Sequence, residues 1–263
     1  MAGFGKAMER NGLNDRRKEV KIGRWVLGVS GFLFISFFLA PLTLDPGTVE
    51  NVEGRANVID FYSKDGSGSY GNLVKNNHSH EDGFHEHQGY VWSEMNPYAA
   101  AIYAFGDLNC HQKHERSLEI NENQMPVCTR DLGIFFGLFI GGLLFTQRGW
   151  NRWTVKDTCL SLLPAAWLIP VYAKNWRLFA WLGVGFVLCT PMLFDGFYQL
   201  LTDYESTNYK RVMTGIPFGF GLGVLMCSMF ASRADAFSGA GDVVLPGNSR
   251  FTLASTAAQS ESE

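Results

Sequence analysis

The chain has 263 residues, of which 46% are hydrophobic, and its formal net charge at pH 7 is only −3. This balance gives no reason to expect binding of nucleic acid, which favours strongly basic proteins, so no nucleic-acid partner is expected. Five cysteines are an odd number and too few for a disulfide scaffold. Long uncharged stretches alternate with strongly polar ones, a pattern that predicts an all-α integral membrane protein.

The first uncharged stretch covers residues 25–44 and follows a polar, basic tail at residues 1–24. A stretch of this length is enough for a helix to cross about 30 Å of hydrocarbon. A signal peptide would have a shorter apolar core and a small-residue cleavage site after it, and Pro41-Leu42-Thr43-Leu44 is a poor one. We therefore expect a retained membrane anchor, with the N-terminus in the cytoplasm by the positive-inside rule.

Residues 45–96 form a Gly-, Asn- and Ser-rich insertion that is expected on the extracytoplasmic side. Residues 58–62 have the composition of a strand, and the remainder is typical of loops. Two His-x-His pairs, His78-Ser79-His80 and His85-Glu86-His87, lie within it. Such pairs can share zinc, copper or nickel. The simpler interpretation is a solvated loop with no fixed metal.

A single membrane domain is expected over residues 97–232. Asn96-Pro97 has the pattern of a helix N-cap followed by proline at the first helical position. The apolar residues 98–108 then predict a short helix that leads to Cys110. This helix is too short to cross a bilayer, so it is expected on or near the outer membrane surface.

Three further uncharged stretches bring the predicted number of spanning helices to four. Glycines at positions 133, 137 and 141 share one face of the second helix, a pattern that permits close helix contact in lipid. Both termini are then cytoplasmic, and the Gly-, Ser- and Ala-rich tail at residues 233–263 is expected to be disordered. The predicted spans are residues 25–44, 131–147, 177–195 and 212–232.

Residues 159–172 are uncharged but contain Pro164 and Pro170, and the stretch is short for a span. Basic residues on both flanks favour a re-entrant or interfacial segment whose two ends are cytoplasmic. If this segment spanned the membrane, the polar residues before the second span and those after the third would lie on opposite sides.

Two polar segments at the ends of apolar stretches contain the residues that can perform chemistry. One runs from Cys110 to Arg130 and the other from Asp195 to Arg211. With four spans, residues 45–130 and the second segment share the extracytoplasmic side. The candidate site residues are Cys110, His111, Gln112, His114, Arg116, Cys128, Arg130, Asp195, Gln199, Glu205, Asn208 and Arg211.

The order of these motifs over about residues 98–230 resembles an uncharacterised family of small membrane proteins, the domain of unknown function 2085. The resemblance implies a compact helical membrane domain with a basic loop between its first two spans. The family has no agreed activity, so the resemblance implies no reaction. The matching motifs are Cys110-His111-Gln112, Arg116-Ser117, Pro126-Val127-Cys128-Thr129-Arg130-Asp131-Leu132-Gly133, Asp195-Gly196-Phe197-Tyr198-Gln199, Glu205-Ser206-Thr207-Asn208 and Arg211-Val212-Met213-Thr214-Gly215.

The first functional hypothesis is a site for a divalent metal such as zinc, which accepts mixed sulfur, nitrogen and oxygen ligands. Its expected ligands are Cys110, His111, His114 and Cys128, with Asp195 or Glu205 as a further ligand. An open position on the metal would suit hydrolysis, with Asp195, Glu205 and Arg130 as candidate catalytic residues. Arg130 or Arg211 would hold an anionic substrate such as a phosphate. The sequence contains no haem or nucleotide motif.

Two alternatives to this hypothesis remain open. A Cys110–Cys128 disulfide would close a loop of about eighteen residues, and the arginines and carboxylates would then hold helix ends together in a module that binds a partner. The second alternative is metal transport, with Asp195 beside the path of the ion. The expected partners are the lipid membrane and, for transport, a second copy of this chain. The sequence does not decide whether the protein is an enzyme.

Overall fold

The structure is a computed structural model that describes residues 8–9, 12–13, 16–49, 95–110, 114–150, 154–232, 242–245 and 249–252. The candidate strand at residues 58–62 and both His-x-His pairs lie outside these residues. The described chain is mainly helical, with only short strands. This confirms the predicted all-α class.

Within the described residues, four helices are long and apolar enough to cross a membrane, as predicted. The chain is therefore an integral membrane protein with several apolar helices. Three shorter α-helices accompany them in the same ranges. In chain order the helices are α1 (Arg17–Leu42), α2 (Pro97–Asn109), α3 (Thr129–Arg148), α4 (Val155–Leu160), α5 (Ala165–Ala173), α6 (Arg177–Leu201) and α7 (Asn208–Ala231).

The long helices begin at or before the predicted spans and two of them continue past the predicted ends, because charge does not end a helix, whereas α1 and α7 end two residues and one residue before the predicted ends. Helix α1 begins eight residues before the uncharged stretch, at Arg17, and α6 continues through Asp195 to Leu201. Long basic side chains near a membrane surface can reach the headgroups while their backbone stays helical.

The described strands form three antiparallel pairs: β1 (Met8–Glu9) with β2 (Gly12–Leu13), β3 (Glu119–Ile120) with β4 (Asn123–Gln124), and β5 (Asp242–Leu245) with β6 (Ser249–Thr252). The last pair lies in the tail that was predicted to be disordered, and the rest of that tail lies outside the described residues. Val243, Val244 and Phe251 favour strands, and they are flanked by a Pro-Gly-Asn sequence typical of turns.

The region predicted as re-entrant or interfacial, residues 159–172, consists of parts of α4 and α5, which have six and nine residues. Neither helix is long enough to span a bilayer, which agrees with that prediction. Thr154 caps α4, since its hydroxyl oxygen accepts a hydrogen bond from the Asp157 backbone N–H at 3.3 Å.

The chain forms two compact units. The first contains residues 1–29, 137–191 and 217–263, and the second contains residues 30–136 and 192–216. The core of the first unit includes Phe145, Leu162 and Val224. In the second unit the rings of Phe37 and Phe105 both pack against Phe135, at centroid distances of 5.0 and 5.8 Å.

A buried asparagine holds the β3–β4 hairpin of the second unit in place. The Asn123 side chain accepts a hydrogen bond from the Val49 backbone N–H at 2.8 Å and donates one to the Asp45 carbonyl at 3.1 Å. Nearby, the Tyr103 hydroxyl donates to the Gln124 carbonyl at 2.7 Å. These bonds fix the approach of the chain to Cys128.

Helix α6 has no buried residue. Large apolar side chains such as Leu182, Phe186 and Val187 are exposed along it. In an integral membrane protein such side chains face lipid tails, which are as apolar as they are. The lipid bilayer is thus the environment of this helix, as predicted.

Glycine permits backbone contact between α3 and α7. In the second unit a Cβ on Gly133 would lie 2.3 Å from the Val212 carbonyl oxygen, and in the first unit one on Gly141 would lie 2.8 Å from that of Phe220. Both distances are shorter than a van der Waals contact. The predicted role of these two glycines in close helix contact is therefore confirmed.

Replacing Gly133 with alanine should lower the free energy of unfolding by about 1–3 kcal/mol, since its Cβ meets backbone that cannot turn away. Thermal unfolding in detergent, followed by circular dichroism, measures the effect. Gly183→Ala on α6 is the control because a Cβ there has no neighbour within 4 Å. An equal loss in both variants would contradict the proposed contact.

Candidate functional site

Two thiols meet at adjoining helix ends in the second unit. Helix α2 begins as predicted, with the Asn96 side chain accepting a hydrogen bond from the Ala99 N–H at 3.0 Å, and Cys110 is its C-cap. Cys128 directly precedes α3, and Asp131 lies in the first turn of that helix. The two helix ends therefore present both thiols and one carboxylate to the same place.

We call Cys110, Cys128 and Asp131 the cysteine cluster. Their sulfur and carboxylate oxygen atoms all lie within 4.8 Å of one another. The Cys128 backbone N–H donates to the Cys110 sulfur at 3.2 Å, and the Cys128 sulfur lies 3.6 Å from Asp131 Oδ2. Both cysteines are thiols in the structure and no disulfide joins them.

The pKa of Cys128 lies below the usual value for a thiol. The main cause is a hydrogen bond from the Cys110 side chain, which stabilises the thiolate, and backbone N–H groups of Asp131 and Arg130 act in the same direction. Burial and the negative charge of Asp131 oppose the shift. A lowered pKa favours the thiolate, which is the form in which a cysteine binds metal or attacks to form a disulfide.

A second set of side chains forms what we call the ion-pair chain: Arg130, Asp195, Gln199, Arg211, Glu205 and Arg116. It begins where Arg130 pairs with Asp195 through Nη2 and Oδ2. Gln199, one helical turn beyond Asp195, donates to the same carboxylate oxygen at 2.9 Å. Their spacing of four residues places both side chains on the same face of α6.

Arg211 is the buried centre of the ion-pair chain, with only 2% of its side chain exposed. It donates to Gln199 Oε1 at 2.7 Å, to Glu205 Oε2 at 3.0 Å and to the Ser206 carbonyl at 3.0 Å. A guanidinium removed from water in this way needs such partners to offset its lost hydration.

Glu205 completes the ion-pair chain by bridging two arginines. Its other oxygen, Oε1, accepts a hydrogen bond from Arg116 Nη2 at 2.7 Å. The Thr129 hydroxyl adds a further link, because it lies 3.0 Å from Asn208 Oδ1. Residues from both polar segments of the sequence are thus in direct contact, as the prediction of a joint site requires.

The structure places the remaining candidates as follows. His111 and Gln112 lie outside the described residues. His114 begins the 3-10 helix His114–Arg116, and its side chain is likewise outside the described part of the chain. The site therefore consists of the cysteine cluster, the ion-pair chain, Thr129 and Asn208.

Asp131 takes the position that sequence reasoning gave to Asp195 or Glu205. Both of those carboxylates pair with arginines, whereas Asp131 lies beside the thiols. The signal for Asp131 was its spacing of three residues from Cys128 across a helix start, which puts both side chains on one face.

Comparison with known proteins gives a family but no activity. Residues 110–225 match a family model described as "Predicted membrane protein (DUF2085)". An uncharacterized protein of Methanothermobacter thermautotrophicus is 36% identical over 117 residues, which is 44% of this chain and 82% of the relative. One from Methanocaldococcus jannaschii is 29% identical over 119 residues, covering 45% of this chain and 62% of the relative. No solved structure matches.

Proposed function

We propose that this chain, which belongs to the domain of unknown function 2085 family of predicted membrane proteins, binds a divalent metal ion at the cysteine cluster. The family match starts at Cys110 and includes the whole cluster. Since the known relatives are uncharacterised, the proposal rests on the chemistry of these three side chains.

The observation that carries the proposal is the convergence of two sulfurs and one carboxylate oxygen within 4.8 Å. Bond lengths of about 2.3 Å to sulfur and 2.0 Å to oxygen place neighbouring ligands of tetrahedral zinc about 3.5 Å apart. The Cys128 sulfur and Asp131 Oδ2 are 3.6 Å apart. These two side chains would need little movement to share an ion.

The surroundings of the cluster also suit a metal. The lowered pKa of Cys128 favours the thiolate, which is the form that binds metal. The backbone N–H that donates to the Cys110 sulfur would hold that ligand in position. Two thiolates and a carboxylate favour zinc over the hard cations calcium and magnesium. His111 and His114 remain candidates for the fourth ligand.

The proposal assigns metal binding and no reaction. An open position on zinc would supply Lewis-acid chemistry. However, the three candidate catalytic residues are engaged: Arg130 pairs with Asp195, and Glu205 bridges Arg116 and Arg211. Asp195, the residue expected beside a transport path, is held in the same way. The extracytoplasmic position of the cluster stays a prediction from the distribution of basic residues.

The proximity of the thiols also favours a second candidate function, a disulfide-stapled module that binds a partner. A thiolate at Cys128 beside a second sulfur is suited to oxidation. A disulfide requires the sulfurs to approach to about 2.05 Å, which removes both from a metal. The disulfide and the metal therefore exclude each other at this cluster.

Elemental analysis of protein purified in detergent under reducing conditions should find about one zinc per chain bound at the cluster, because two thiolates and a carboxylate supply three protein ligands of the kind that zinc takes. Cys110→Ser combined with Cys128→Ser should remove that zinc, and Asp131→Asn should weaken its binding. Cys159→Ser combined with Cys227→Ser is the matched control, since those thiols belong to the first unit.

All variants should be compared in a background whose insertion histidines are changed to alanine, which removes a separate source of bound metal. Reduced Cys110 and Cys128 without zinc would sink the proposal. Mass-resolved labelling that shows both thiols blocked by a mutual disulfide, without metal, would favour the stapled module instead. The histidines changed are His78, His80, His85 and His87.

A further inference from the structure

We infer that Arg116 and Arg211 form a binding site for a phosphate-bearing anion, and that Glu205 occupies this site when no anion is bound. This inference concerns the ion-pair chain and does not require a metal at the cysteine cluster. It rests on the geometry of Glu205, on a difference in burial, on unsatisfied hydrogen-bonding groups and on a charge imbalance.

The geometry around Glu205 is that of an anion held between two guanidiniums. Each oxygen of its carboxylate accepts from a different arginine, Oε1 from Arg116 at 2.7 Å and Oε2 from Arg211 at 3.0 Å. Arginine recognises carboxylate and phosphate with the same planar set of N–H donors. Two oxygens of a phosphate group can therefore replace the two oxygens of Glu205.

Burial differs strongly between the cations and this carboxylate. The side chain of Arg211 is 2% exposed and that of Arg116 is 27% exposed, whereas that of Glu205 is 60% exposed. Gln199 and the Ser206 carbonyl hold Arg211 independently of Glu205. Because the Glu205 side chain is largely exposed, its carboxylate can move into water as an incoming anion takes over its contacts with Arg116 and Arg211. The guanidiniums would stay in place.

Three buried polar groups around this site lack hydrogen-bond partners among the described residues. They are Nε of Arg116, Nε of Arg130 and the hydroxyl of Ser206, the residue after Glu205. Ser206 as a whole is 6% exposed. Buried groups of this kind are rare in folded proteins, and a bound ion can satisfy them. Each of them is a donor, and the Arg116 and Ser206 groups belong to a residue that binds Glu205 and to the residue after it, so an anion with several oxygens in place of Glu205 offers them acceptors.

The charges around the ion-pair chain leave a place for an anion once Glu205 moves away. The three guanidiniums of Arg116, Arg130 and Arg211 face the carboxylates of Asp195 and Glu205, and Glu115 lies 3.7 Å from Arg116 Nε. Arg116 and Arg130 both repel Arg211, and Glu205 and Cys128 attract it. If Glu205 leaves, the positive charges outnumber the remaining carboxylates, and a bound phosphate group restores the balance.

A phosphate group can reach such a site either as free phosphate or as the headgroup of an anionic lipid. The first probe is inorganic phosphate, titrated calorimetrically into detergent-purified full-length protein against chloride at equal ionic strength. The second is reconstitution into nanodiscs of phosphatidylcholine with and without phosphatidic acid, where bound phosphatidic acid is measured after repurification. Binding of phosphate alone identifies a soluble ligand, and binding of phosphatidic acid alone identifies a lipid.

Removing the internal competitor should strengthen binding of the anion. Glu205→Gln should lower the phosphate Kd about fivefold, since two ion pairs no longer compete with the ligand. Glu115→Gln is the matched control because Glu115 also lies near Arg116, 3.7 Å from Nε, but does not bridge to Arg211. Arg116→Gln should raise the Kd about tenfold, the effect of losing a charge-assisted hydrogen bond.

The Cys110→Ser and Cys128→Ser double variant should bind phosphate as the wild type does, so failure of metal binding and failure of anion binding are separate results. Absence of both phosphate and phosphatidic acid binding in the wild type and in Glu205→Gln would overturn the inference. Equal effects of Glu205→Gln and Glu115→Gln would do so as well. If Glu205→Gln fails to fold, Arg116→Lys tests the inference instead. Its phosphate Kd is expected to lie between those of the wild type and Arg116→Gln.

Discussion

Asp157→Ala should lower the free energy of unfolding by about 3–5 kcal/mol, the usual effect of removing one partner from a buried ion pair. In the first unit this carboxylate is fully buried and accepts hydrogen bonds from the Tyr172 hydroxyl at 2.7 Å and Arg177 Nη1 at 3.2 Å. Arg177 is only 11% exposed at its side chain, so water cannot replace the lost carboxylate fully. Thermal unfolding in detergent provides the measurement.

Two comparisons separate loss of the ion pair from loss of packing. Tyr172→Phe removes a single hydrogen bond and should cost about 1 kcal/mol. Asp157→Leu combined with Arg177→Met removes both charges and should regain most of the stability, since an apolar pair of similar volume needs no hydration. If Asp157→Ala lowered the free energy of unfolding no more than Tyr172→Phe, the contacts of Asp157 with Tyr172 of α5 and Arg177 of α6 would not hold these helices to α4.

Hydropathy predicted the membrane helices because absence of charge over about 20 residues has one main physical cause, burial of the helix in lipid. It predicted their ends less well. A charged residue was taken as the end of each span, yet α6 continues through Asp195, whose carboxylate is balanced by Arg130 from α3. The residue that balances a charge can lie far away in the sequence, and a hydropathy profile gives no information about such pairs.

The joint position of the two polar segments could be predicted from the number of spans. In the second unit Arg116 and Arg130 contact Glu205 and Asp195. With a further span between the two segments, the sequence would have predicted them on opposite sides of the membrane. The short lengths of α4 and α5 agree with the prediction that residues 159–172 do not span.

The division of the site into two parts could not be predicted in the same way. The sequence offered Asp195 and Glu205 as metal ligands because carboxylates bind metals and pair with arginines equally well. Only their positions decide between these roles. Both face guanidiniums, and Asp131, the first residue of the predicted second span, is the carboxylate beside the thiols.

Asp195→Ala should lower the free energy of unfolding by about 3 kcal/mol, toward the lower limit for a buried ion pair because Arg130 retains some contact with solvent. The Asp195 side chain is 7% exposed and that of Arg130 is 23% exposed. The change also removes the carboxylate to which Gln199 donates, and Gln199 in turn accepts from Arg211. The loss should therefore extend along the ion-pair chain.

Asp203→Ala is the control, because Asp203 is an exposed carboxylate a short distance along the same segment, and its loss should change stability by less than about 0.5 kcal/mol. In a double-mutant cycle, Arg130→Met should cost much less in the Asp195→Ala background than in the wild type, since the two residues act as a pair. Independent costs for the two changes would show that Asp195 is not held by Arg130. Its carboxylate would then be available for the catalytic or transport roles that its position at a membrane boundary first indicated.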